Sequence, residues 1–354
     1  MLSEHLAQLV VWLSIALSVL ILLLLVQIAL LRIGLVRRTA REQRFLKVWQ
    51  PILAAAVAGE PGDLPPLADD EKIFFMKLWN HLHESLRGKA RRQLNVIALR
   101  CGILQDVYAL LGRKDLRSRL LALITLGHLG DRSSWNNILK LTRHRDPLLS
   151  LVAARTLFQI HPESALTDLM QPLLEREDWP TAQLALLLQE AGQENIFAML
   201  AKTASQLAGS TDPAGLARLN RLLRLLEVAP YQLVIAAIRA IFAVTADAEI
   251  IAQCLKFLRE PNDLPTVMRH LDHPDWVVRL QVAQALGRIG TARDTTQLAK
   301  LLSDPVWWVR YRAAQAMVSL MRGNSPALAE LRTRLTDRYA QDALEMVLTE
   351  RGGR

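Results

Sequence analysis

Two stretches decide the fold: DHPDWVVRLQVAQALGRIG at 272–290 and DPVWWVRYRAAQAMVSLM at 304–321. A shift of 31 residues lays Pro274 on Pro305, Trp276 on Trp307, Val278 on Val309, Arg279 on Arg310, Gln284 on Gln315 and Ala285 on Ala316. A period of this size is the mark of stacked supersecondary units. In the first copy Val278, Val282, Ala285, Leu286 and Ile289 recur three and four apart, the spacing of one helical face. A shorter amphipathic stretch precedes each copy, Leu264–Leu271 and Thr295–Leu302. Paired helices with no β-rich segment imply antiparallel hairpins that bury their apolar faces only against their neighbours.

Outward from these copies the register continues. KDLRSRLLALITLGHLG at 114–130 matches the first stretch at a shift of 160, with Asp115 on Asp275, Arg119 on Arg279, Leu126 on Leu286, Gly127 on Gly287 and Gly130 on Gly290. Asp146 and Asp178 follow at spacings of 31 and 32. Between 205 and 260 the phase blurs, although Asp212-Pro213 and a helix at Leu233–Val244 fall near the expected places. The reading is an all-α chain whose residues 112–354 form an α-solenoid of about six or seven helical pairs. Residues 71–111 supply two capping helices, entered through the acidic run Asp69, Asp70, Glu71.

The Asp-Pro turn, the Val-Arg just after a Trp, and the Ala-rich helix ending Leu-Gly-x-Ile-Gly resemble HEAT repeats, in particular the short HEAT-like repeats of phycobilin lyases. The resemblance is closest over 263–321, extends to 112–160 and is weak over 161–262. It implies an armadillo-like stack in which turn aspartates and helix arginines form a ladder. Asp272 with Arg279 and Asp304 with Arg310 fit that ladder, and Asp115 with Arg119 fits loosely. Ser150 and Ala182 stand where the arginine would be, so the ladder is interrupted.

The N-terminus reads differently. No Asp, Glu, Lys or Arg lies between Glu4 and Arg32, and Leu6–Leu31 is broken only by Gln8, Ser14, Ser18 and Gln27. As a helix it is about 39 Å long, enough to cross a core of about 30 Å. A cleaved signal would carry a positive start, a shorter apolar run and a small-residue cleavage site. Residues 1–31 are therefore expected to be a short outer tail and a single transmembrane helix. Arg32, Arg37, Arg38, Arg41, Arg44 and Lys47 follow against one Glu42, which predicts an inner-membrane protein with its C-terminal body in the cytoplasm. These residues suit anionic lipid headgroups. Residues 32–70 read as a basic juxtamembrane helix, interrupted by Gly34 and Pro51, then the Pro/Gly linker GEPGDLPPLADDE at 59–71.

Composition narrows function. Hydrophobic content is 51%, aromatics only 5% and mean hydropathy +0.16, which excludes a disordered tail, a collagen-like chain and a disulfide scaffold. Residues 1–119 hold 17 Lys and Arg against 10 Asp and Glu, whereas 120–354 hold 26 against 24. The charge excess sits near the expected membrane, so nucleic acid is a poor fit for the repeats. Cys101 and Cys254 match no metal or redox spacing. His81 and His83 fall on different helix faces, while His270 and His273 flank a repeat turn where capping is the ordinary role. No phosphate-cradling loop, metalloprotease helix or nucleophile elbow is present. No catalytic residue, metal or cofactor is expected.

What remains is surface. The outward face of the second helix in each pair carries Gln281, Gln284 and Arg288, and one repeat later Arg312, Gln315 and Ser319. These polar rows suit a groove that holds a peptide or helix of a protein partner. Trp276 and Trp307 are repeat-equivalent, which predicts packing between repeats. Trp308 and Tyr311 replace Val277 and Leu280, and are expected on a contact surface. The leading expectation is a membrane-tethered scaffold. A HEAT-like enzyme of the bilin-lyase or DNA-glycosylase kind, or an anionic-lipid-binding module, is the alternative.

Overall fold

The structure, a computed structural model, describes residues 2–59, 62–192, 194–321 and 325–352. Among them every regular element is helical. The chain divides into two compact units, Met1–Ile160 and His161–Arg354.

The first unit contains α1 (Leu2–Ala58), α2 (Lys72–Ser85), α3 (Lys89–Arg100), α4 (Leu104–Leu111), α5 (Leu116–Leu129), α6 (Trp135–Leu141) and α7 (Pro147–Ile160). Helix α1 runs unbroken through Gly34 and Pro51. Its C-terminal third buries Phe45, Trp49 and Leu53, one residue per turn, against α2 and α3. Phe45 lies 6.1 Å from Phe74, and Trp49 meets Phe75 edge-on at 5.1 Å. The stretch expected as a juxtamembrane helix is thus also a core wall, and the loop starts at Gly59, where the linker was expected.

Three helices, not two, fill 72–111. Gly88, at φ 63°, is the N-cap of α3 and Gly102, at φ 66°, follows its end, both at a positive φ that only glycine enters readily. Helix α4 packs on α5 as the first member of a pair, so the pairs begin at Leu104 rather than 112.

Among the described residues no single helix is long and apolar enough to cross a membrane. Within α1 the described apolar part is Val19–Ile33, with every residue exposed. Met1 and the side chains of 2–11 and 13–18 lie outside the described residues, so the side chains of the first part of the span expected over 6–31, Trp12 excepted, lie there. Helices α3 and α4 are apolar enough together, but they are bent by 84°. Their Leu94, Ile97, Val107 and Leu110 are core residues.

The second unit contains α8 (Pro162–Glu175), α9 (Thr181–Ala191), α10 (Glu194–Gln206), α11 (Pro213–Leu226), α12 (Tyr231–Val244), α13 (Ala248–Phe257), α14 (Leu264–Met268), α15 (Trp276–Ile289), α16 (Thr295–Leu302), α17 (Trp307–Leu320), α18 (Ser325–Arg334) and α19 (Arg338–Gly352). Within it α9, α11, α13, α15, α17 and α19 form one row, each packed on the next. That is the order of an α-solenoid.

Turn aspartates set the phase. Asp115, Asp212, Asp247 and Asp275 cap α5, α11, α13 and α15 by accepting the N–H of Ser118, Gly215, Ile250 and Val277. The pairing therefore continues through the blurred middle. The interval lengthens from Asp178 to Asp212 and to Asp247, then shortens to Asp275. The helix read at Leu233–Val244 is α12, the first helix of its pair, and α13 is the second.

A second periodic signal went unread in the sequence. Asp131, Glu260 and Thr291 each cap a 3-10 turn that opens a pair (Arg132–Ser134, Pro261–Asp263, Ala292–Asp294).

Candidate partner-binding groove

Helices α15 and α17 approach closely because Gly287 faces Ala316. A Cβ on Gly287 would stand 2.8 Å from the Ala316 Cβ. Next to this contact, α15, α17 and α19 frame an open groove of about 710 Å³. Its lining includes Gln284 and Arg288 from α15, Tyr311, Arg312, Gln315 and Ser319 from α17, and Val347 and Glu350 from α19. Six of the eight residues expected on the contact face thus come together. Gln281 and Trp308 are not in the lining, and the Gln281 Oε1 is buried without a hydrogen-bond partner. The contribution of α19 was invisible to sequence, since Val347 and Glu350 lie beyond the region where the repeat register can be read.

The groove is polar and mostly basic. Arg312 Nη1 donates to Gln315 Oε1 at 2.8 Å, and the Tyr311 hydroxyl donates to Glu350 Oε2 at 2.9 Å. Arg288 Nη2 donates to the Leu255 carbonyl at 2.7 Å, near the end of α13. Desolvation, and to a smaller degree Arg259 nearby, lowers the Arg288 pKa.

An aromatic cluster continues the rim. Trp307 stacks on Tyr311 at 5.2 Å and meets Trp308 edge-on at 4.6 Å. Trp308 is 53% exposed. Trp276 and Trp307, expected to pack between repeats, are 41% and 39% exposed instead. Each sits at the first position of its helix, where Val278 and Val309 two residues on take the buried place.

The ladder links consecutive repeats. Arg279 Nε and Nη2 donate to Asp304 at 2.6 and 3.0 Å, and its Nη1 donates to the His273 and Pro274 carbonyls. Asp272 pairs with Lys300 rather than with Arg279. Arg310 repeats the carbonyl bonds, to Asp304 and Pro305, while its Nε is buried without a partner and Tyr339 lies over the guanidinium at 5.2 Å. Arg119 bonds the Arg113 carbonyl, and Asp115 caps α5 instead of meeting it.

Residues 235–318 match the family model of HEAT repeats. That region holds most of α12, all of α13 to α16 and nearly all of α17, so the groove lies mainly in HEAT-repeat sequence and is completed by α19 beyond it. No curated protein matches the chain. Among solved structures it is similar to an engineered protein from a structural-genomics consortium. Identity is 18% over 82% of this chain and 86% of that one, at a TM-score of 0.31.

Other clusters offer less chemistry. Among the described residues no group of three His, Cys, Asp or Glu could hold a metal. His273 Nδ1 accepts the Asp275 N–H, the capping role expected of that turn. Burial pushes the Cys254 thiol up to about 12 and raises Cys101, so neither is a ready thiolate. In the first unit His83 and His128 stack at 4.3 Å beside Trp79. His83 Nε2 pairs with Asn95 Oδ1, and His128 Nδ1 with Asn80 Oδ1. An amide oxygen only accepts, so each ring donates there. Desolvation lowers the His83 pKa and takes His128 to about 3, so both are neutral. Arg32, Arg37, Arg41, Arg44 and Lys47 are exposed along α1, with Arg41 3.5 Å from Asp70, while the Arg38 side chain lies outside the described residues.

Proposed function

We propose that this protein is a membrane-anchored scaffold that binds a protein partner through its HEAT-repeat groove. The observation that carries the reading is the groove itself, built from repeat-equivalent Gln284 and Gln315 with Arg288 and Arg312. Open and polar, it suits a polypeptide better than a small substrate. HEAT repeats generally mediate protein–protein interaction, and the match at 235–318 supports that role here. The reading assigns no catalysis and no cofactor to the chain.

The anchor is proposed on sequence and exposure. A stretch free of charge from His5 to Leu31 continues into α1 residues exposed on every side at Val19–Ile33. A helix apolar all round fits hydrocarbon better than a one-sided protein groove. The basic side chains from Arg32 to Lys47 would meet anionic headgroups at the cytoplasmic face.

The test is photo-crosslinking in native membranes from a probe placed at Gln315, compared with the same probe in an Arg288→Gln, Arg312→Gln background. One protein band that is lost in the double variant is expected. A purified chain that turns over a small molecule alone, with no band at all, would overturn the scaffold.

A further inference from the structure

The charge and shape of the groove define what it binds, and the inference rests on the scaffold reading above. Arg288 and Arg312 line it, with Arg259 close enough to act on Arg288 electrostatically. The one carboxylate in the lining, Glu350, is held by the Tyr311 hydroxyl. Beside it Arg310 makes no ion pair among the described residues, whereas Arg279 one repeat earlier holds a carboxylate with two nitrogens. Tyr311 belongs to both the groove and the exposed aromatic cluster with Trp307 and Trp308, so the apolar rim and the basic floor are continuous.

We infer that the groove takes an acidic amphipathic helix of the partner protein, its carboxylates on Arg288 and Arg312 and its apolar side chains on Trp307 and Trp308. Guanidinium groups receive carboxylates with two parallel bonds, which fixes register as well as affinity. Exposed Trp, Tyr and Arg in one patch are the residue types that dominate protein interfaces. The two Gln side chains supply adaptable donors and acceptors between the charged positions.

The experiment uses the full chain in detergent and three labelled probes: a helical peptide of Leu and Glu with one apolar face, the same peptide with Lys for Glu, and a single-stranded oligonucleotide. Anisotropy should show binding of the Glu peptide only. Affinity should fall at least about tenfold in Arg288→Gln, Arg312→Gln, and similarly in Trp308→Ala, whose exposed side chain can be removed without disturbing the core. Lys202→Gln, Arg269→Gln, elsewhere on the same unit, should leave it unchanged. The charge-reversed Arg288→Glu, Arg312→Glu chain should prefer the Lys peptide.

Equal binding of both peptides, tight binding of the oligonucleotide, or an unchanged affinity in the double variant would overturn the inference. If the Gln315 crosslink to a protein survives while the Glu peptide fails, the acidic helix is wrong and the scaffold stands. Loss of both removes both.

Discussion

Gly127 and Gly287 hold the same repeat position, 160 residues apart, in different surroundings. A Cβ at Gly287 would meet the Ala316 Cβ at 2.8 Å and its Cα at 3.1 Å, so α17 itself must move. At Gly127 the close neighbour is the end of the Gln159 side chain, which can swing away. Gly287→Ala should cost about 1–3 kcal/mol by overpacking. Gly127→Ala should be neutral or gain up to about 1 kcal/mol from helix propensity. Hydrogen exchange on α15 and α17, and on α5 and α7, separates the two. The ladder gives a second contrast. Arg279→Ala strands the buried Asp304 carboxylate and should cost about 3 kcal/mol. Arg310→Ala removes carbonyl bonds and an exposed contact with the Tyr339 ring but leaves no buried carboxylate behind, and should cost about 1 kcal/mol. If Arg310→Ala proves the more damaging, the ladder is not what joins the repeats.

At the scale of elements, the seam between α2, α3 and α5 should make the first unit acid-sensitive. His128 faces His83 on α2, Arg91 on α3 and Arg155 on α7, and its folded pKa of about 3 lies below the ordinary 6.5. The unfolded chain therefore binds the proton more readily than the folded one. Stability from this pair is complete above pH 6.5 and declines as pH falls from there toward 3. His128→Asn keeps an N–H donor for Asn80 and removes the titration. Exchange protection of α2 and α5 should then decline less between pH 6.5 and 5 than in the parent chain. An identical pH profile would place the acid sensitivity elsewhere.

The same seam marks where sequence reading stops. The spacing of His81 and His83 places them on different faces, but nothing local shows that His83 meets a histidine 45 positions on. The repeats at 272–321 were legible because their turns keep Asp, Pro and Trp in a constant interval. The middle pairs keep the capping aspartate while the interval changes, so a fixed period misses them. Gln284 and Gln315 could be placed on equivalent faces because a constant interval of 31 gives them the same position in successive repeats, whereas α19 follows a turn without that signature. Proline at 51 stands out from an otherwise helix-compatible stretch, and it sits on the exposed side of α1, away from Phe45, Trp49 and Leu53.

At the scale of the whole chain, removal of residues 2–31 should move the protein from the membrane pellet to the soluble fraction after alkaline extraction. Neutralising Arg37, Arg41 and Arg44 should weaken attachment to anionic vesicles without releasing the intact chain. Release of the intact chain by alkali alone would argue against the span. Helix α1 has no joint between its apolar part and the wall it forms with Phe45, Trp49 and Leu53. Torsion is therefore transmitted along it. One alanine inserted between Val36 and Arg41 would turn everything beyond by about 100°, and four would restore the azimuth to within about 40°. The wall formed with Phe45, Trp49 and Leu53 behaves as a vane fixed to its shaft, facing whichever way the apolar end of the helix faces.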